Sequence, residues 1–88
     1  MNEIIKKIED EICLFLETKF GIDVNENSKL IGKESAITSL SVMELIAWVE
    51  EKYDIVNILD DDLYLDCLSS IHMLALKIGR LKGYCHGT

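Results

Sequence analysis

Residues 38–51 read TSLSVMELIAWVEE, a head of hydroxyl side chains followed by an apolar stripe and an acidic end. Val42, Leu45, Ile46 and Val49, with Tyr53 just beyond, recur at three- and four-residue spacing, which places them on one helical face. The spacing predicts a helix from near Ser39 to about Tyr53, with that stripe in a core. Thr38, Ser39 and Ser41 stand at its start, where hydroxyl oxygens accept hydrogen bonds from the unpaired amides of a first turn. Ser41 and Glu44 satisfy the S-x-x-E capping-box pattern. The same place suits a phosphodiester on a serine oxygen, because the first-turn amides and the positive end of the helix dipole both favour an anion. Met43, Glu44, Ala47, Trp48, Glu50 and Glu51 fall on flanking or outward faces. A Met and a Trp beside carboxylates make a mixed surface of the kind partners use. Spacing alone leaves open the alternative that Trp48 folds over the edge of the core.

Outward from this stretch the same reasoning finds two more long helices. Ile4, Ile5, Ile8, Ile12, Phe15, Leu16 and Phe20 define one face of a helix over residues 3–20, and Gly21 stands where a C-terminus wants a positive φ. Residues 21–37, GIDVNENSKLIGKESAI, have no period but carry apolar anchors at Ile22, Val24, Leu30, Ile31 and Ile37. A loop so long in a compact domain is uncommon, and its anchors predict that it lies against the core. After Tyr53 the chain turns, and Asp60 or Asp61 can cap a short helix over residues 62–66. Leu68, Ile71, Leu74, Ala75, Ile78 and Leu81 mark a last helix, with Ser69 or Ser70 as its cap and Lys77, Arg80 and Lys82 near its end. The expected fold is all-α: a small four-helix bundle of three longer helices and one short third helix, with a long loop between the first two.

Composition narrows the function classes. With 88 residues the chain, 1–88, is expected to be a single domain, since a chain this size removes only roughly 60–65% of its unfolded surface from water. Residues 83–88 read as a flexible tail. The formal charge is −7, and from Glu34 to Leu76 only Lys52 stands against nine acidic side chains. That surface should repel nucleic acid and anionic membrane and attract proteins with basic patches. Cys13, Cys67 and Cys85 form no CxxC pair and are odd in number, which favours a reducing cytoplasm over a disulfide framework. No apolar run approaches the roughly 18 residues of a membrane span, and the N-terminus lacks the pattern of an export signal. The expectation is a complete, soluble, cytoplasmic protein and a monomer.

Catalytic and metal constellations are sparse. His72 and His86 lie far apart, neither with a nucleophile and orienting carboxylate at recognisable spacing. There is no phosphate loop, HExxH or GxSxG. The adjacent aspartates 60–62 lack the alternating spacing and turn glycine of a calcium loop, so solvation and capping explain them. Cys85 and His86 sit in a terminal GYCHGT, better read as tail than as a thiol or metal site. The chain is therefore expected to be neither an enzyme nor a metal protein.

Residues 30–55, LIGKESAITSLSVMELIAWVEEKYDI, followed by 59–78, LDDDLYLDCLSSIHMLALKI, resemble acyl carrier proteins and the related peptidyl and aminoacyl carrier domains. The resemblance runs from residue 4 to about residue 81. In that family a serine, usually within Asp-Ser-Leu, opens the second helix and is esterified by 4′-phosphopantetheine. The matching residue is Ser39, followed by Leu40; Glu44 falls where the family commonly has an acidic residue. Glu50, Glu51, Tyr53 and Asp54 are similar to its acidic helix end and aromatic core residue. Asp62 and Leu63 match its short third helix, and Leu68, Ser70, Ile71 and Leu74 match the run into its fourth. Thr38 stands where the family has aspartate, so a carboxylate that contributes to recognition by the modifying transferase is missing.

The resemblance implies an acyl or aminoacyl group carried as a thioester on an arm derived from coenzyme A, with partner enzymes supplying the chemistry. Its partners would be a phosphopantetheinyl transferase and loading or processing enzymes with basic docking patches. Thr38, Leu40, Met43, Glu44, Ala47, Trp48, Glu50 and Glu51 are the residues expected to meet them. The alternative from another class is an unmodified helical interaction module of the same fold.

Overall fold

A computed structural model describes residues 3–60 and 65–83. These contain three α-helices, α1 (Glu3–Phe20), α2 (Ser39–Lys52) and α3 (Ile71–Leu81), with a single turn of 3-10 helix at Asp66–Leu68 and no strand.

α1 follows its apolar period: Ile5, Ile8, Ile12 and Leu16 are buried. Ile4, at the edge of that stripe, is exposed instead. The helix ends at Gly21, whose φ is +69° and whose N–H donates to the Glu17 carbonyl at 2.9 Å. α2 turns Val42, Leu45 and Val49 inward, while Ile46 and Tyr53 are half-buried. α3 contributes Ile71, Leu74, Ala75 and Ile78 to the same core, and its predicted last apolar residue, Leu81, is exposed. α1 packs against α3 more extensively than against α2, and this leaves a groove between α1 and α2.

The long loop lies against the core as its anchors predict. Leu30 is buried, and Ile22, Val24, Ile31 and Ile37 pack half-buried on the same cluster. Its path is fixed by backbone hydrogen bonds to the start of α3. Leu30 N–H donates to the Leu68 carbonyl at 3.2 Å, while Ile71 and His72 N–H donate to the carbonyls of Ser28 and Glu26 at 3.1 and 2.9 Å. The Ser70 hydroxyl takes the Met73 N–H at 3.1 Å, so Ser70 is the cap of α3. Ser69 serves the turn before it, donating its hydroxyl to the Asp66 carbonyl at 2.8 Å.

The described residues contain three α-helices rather than four. The short third helix expected over 62–66 falls mostly outside them, as do the other expectations for 61–64 and for 84–88. At Leu65 the backbone is left-handed, φ +55°, which no right-handed helix can pass through, and only the 3-10 turn follows. Between α2 and that point the chain is pegged by buried Ile55 and Ile58, with left-handed Asp54 and Asn57 beside them. No helix among the described residues is long and apolar enough to cross a membrane.

Leu45 and Ile12 are fully buried, so truncating either to alanine is expected to cost about 2–5 kcal/mol in urea unfolding. Val56→Ser, at a position 82% exposed, should change stability by less than about 0.5 kcal/mol in the same measurement.

Candidate functional site

The head of α2 is organised by Thr38, which is its N-cap. Thr38 is extended, φ −78° and ψ 163°, and its Oγ1 accepts the Ser41 N–H at 3.1 Å. The Thr38 hydroxyl in turn lies 3.1 Å from Ser41 Oγ, to which it donates, and its carbonyl receives the Val42 N–H at 3.0 Å. The capping box predicted from Ser41 and Glu44 does not form. A cap must be extended, whereas Ser41 is already inside the helix, and Glu44 pairs with Lys19 of α1 at 3.8 Å.

This arrangement leaves Ser39 free. It is the first residue of α2 and exposed, and among the described residues its hydroxyl has no hydrogen-bond partner. The backbone amides of Ser39 and Leu40 likewise have none. α3 differs: its first three amides are all taken, by Ser28, Glu26 and Ser70. Of these two helix starts, only that of α2 presents open donors and an idle hydroxyl to solvent at the positive end of a dipole.

From Ser39 an exposed apolar stripe runs down the helix. Leu40 is 71% exposed and Met43 69%, and Ala47 is exposed one turn further on. At about 100° per residue these three share one side, opposite Val42, Leu45 and Val49, with exposed Glu44 and Glu51 along its edge. Ser39, Leu40, Met43, Glu44, Ala47 and Glu51 thus meet on one surface, with Thr38 at its head. Glu50 and Trp48 are used elsewhere. The Glu50 carboxylate accepts the Ile58 N–H at 2.9 Å while its carbonyl accepts the Ile55 N–H at 2.9 Å, tying the following turn to the helix. Trp48 is half-buried, stacked on Phe15 of α1 with ring centroids 4.4 Å apart and planes 15° apart.

A second polar cluster had no sequence signal. Glu9, only 6% exposed, hydrogen-bonds through Oε2 to His72 Nδ1, joining α1 to α3 across 63 positions. Periodicity puts both residues on helices but carries no information on which faces meet. Nearby Cys13 is pushed above the ordinary thiol range, first by burial and then by the negative charges of Asp10, Glu26 and Glu9. Such surroundings hold the thiol protonated, opposite to what a nucleophile needs. Among the described residues no three His, Cys, Asp or Glu side chains are grouped to hold a metal ion. The pair Cys85 and His86 lies outside them.

Comparison with protein-family models, with curated proteins and with solved structures finds no match to this chain.

Thr38→Ala removes the cap and should cost about 1 kcal/mol in chemical unfolding, whereas Ser39→Ala should stay within about 0.5 kcal/mol of the wild type. Cys13 gives a pH dependence of known sign. Its folded-state pKa is raised, so its contribution to stability is present below the unfolded thiol's pKa and is lost as pH rises through the folded one. Wild type should therefore lose stability faster than Cys13→Ala in unfolding titrations carried from neutral to strongly alkaline pH.

Proposed function

We propose that the protein is an acyl carrier protein, with 4′-phosphopantetheine esterified to Ser39 and an acyl or aminoacyl group held on the arm. The observation that carries this reading is the division of labour at the head of α2. Thr38 and Ser41 satisfy the helix start between them, and Ser39 is left exposed, with an idle hydroxyl beside two open amides. A hydroxyl needed only for capping would be hydrogen-bonded. A phosphodiester on Ser39 would sit where those amides and the helix dipole favour negative charge.

When bound, the arm supplies a thiol that keeps the cargo activated as a thioester. The chain's own part is recognition. Leu40, Met43 and Ala47, edged by Glu44 and Glu51, form an apolar strip with carboxylates beside the attachment point, suited to a transferase and to loading enzymes with basic patches. Charged edges speed association, and a small apolar strip permits release. The reading brings with it a cytoplasmic, monomeric four-helix bundle.

One observation favours the runner-up, an unmodified interaction module of the same fold. Position 38 carries a threonine whose hydroxyl is committed to Ser41, and it offers a transferase no carboxylate.

Incubated with coenzyme A and a broad-specificity phosphopantetheinyl transferase, the intact protein should gain the mass of one phosphopantetheinyl group, and Ser39→Ala should gain none. No gain with several transferases would overturn the carrier reading, and unmodified protein from its own host that captures a partner through Glu44, Glu50 or Trp48 would favour the interaction module instead. Reversing the charge at Glu44 and Glu51 should slow association with the transferase by about tenfold at low salt, an effect that shrinks as salt is added.

A further inference from the structure

A trough runs between α1 and α2 on a side of the molecule that the carrier reading does not use. Two adjoining cavities of ≈ 410 and ≈ 320 Å³ form it, sharing Glu11 and Lys52 as common walls. One end lies by Ile4 and Lys7, and the other is floored by the Phe15–Trp48 stack and edged by Leu14, which is 62% exposed. Tyr53 meets Trp48 edge-on at 6.3 Å, so aromatic surface extends along the trough.

Its charges are unusual for a chain of net charge −7. Lys6, Lys19 and Lys29 each pair with a carboxylate, but Lys7 and Lys52 have none within ion-pair distance among the described residues. Lys52 Nζ is held 5.8 Å above the Trp48 ring and 5.9 Å above that of Tyr53. The one acid in the walls, Glu11, accepts a hydrogen bond from the Tyr53 hydroxyl. Two open ammonium groups therefore face an apolar channel against one engaged carboxylate.

We propose that this trough binds a free alkyl carboxylate non-covalently, its tail along Leu14, Phe15 and Trp48 and its head group at Lys7 and Lys52. An extended peptide is the poorer fit, because the helical walls offer almost no partners for its backbone amides and carbonyls, and burying these unpaired is costly. An alkyl chain has no such groups. A thioester or an alcohol of equal length would lack the charge the lysines complement, so the site selects the free acid. This does not depend on Ser39 being modified.

Trp48 is the sole tryptophan, so its emission reports occupancy directly. Full-length unmodified protein is titrated with octanoate, nonanoate and decanoate below micelle-forming concentrations, and with decanol. Saturable emission changes are expected, tightening by about two- to fourfold per methylene. Decanol should bind wild type more weakly than decanoate. Lys7→Glu with Lys52→Glu should weaken decanoate by about tenfold and leave decanol unchanged, and Leu14→Asp should weaken both. All three positions are exposed, and circular dichroism checks that the variants fold. The proposal is overturned by absence of saturation, by equal affinity for decanoate and decanol, by indifference of either variant, or by an acidic, apolar hexapeptide binding the trough more tightly than decanoate.

Discussion

The pairing of residues 26–30 with residues 68–72 is the constraint on which the rest of this small structure depends. Amides that open α3 and carbonyls of an otherwise irregular loop satisfy each other, so neither segment's backbone groups are completed without the other. Leu30 and Leu68, both buried, seat the pairing in the core. The loop has no internal ladder, and this attachment, with the Ser35 hydroxyl accepting the Ile37 N–H at 3.2 Å, sets its course toward Thr38. The loop therefore sets out toward α2 from a point fixed at the start of α3.

Two helix starts in one chain thereby acquire opposite characters. That of α3 is closed, its donors consumed by the fold, and the Glu9–His72 bond beside it fastens α1 to the same corner. That of α2 is closed only in part, by a threonine and a serine that look inward to each other. The helix dipole is present at both, but only at α2 is it accompanied by unfilled amides and a hydroxyl with no structural task. A local hydrogen-bond inventory thus separates one serine from neighbours that composition treats alike.

Much of the architecture was legible in the sequence, and the limits have physical causes. The helices at 3–20, near 39–53 and ending at Leu81 follow from three- and four-residue spacing, because each buries a single apolar face. Gly21 and Ser70 punctuate where glycine and serine are expected to. The candidate site was legible in part: Leu40, Met43, Glu44, Ala47 and Glu51 do share an exposed side with Ser39. Which hydroxyl would cap α2 was not legible, since Thr38 and Ser41 are equally able to accept and the choice rests on where the backbone leaves the extended region. Glu50 matches the acidic helix end of the carrier family in sequence, and nothing in that pattern signals that its carboxylate accepts the Ile58 N–H. Trp48 could have faced either way by spacing, and Phe15, supplied by another helix, decides it. The Glu9–His72 pair is invisible to any local pattern.

The loop-to-α3 pairing also carries a consequence for the order in which this protein can take shape. More than a third of the chain lies between Leu30 and Leu68, so the bonds that fix the loop join segments made well apart in time. On a ribosome Ser39 emerges before α3, and its helix has the local signals to form. The loop leading into it must wait for Ile71 and His72 before its carbonyls find their donors. The approach to Ser39 is therefore completed only once α3 has been made.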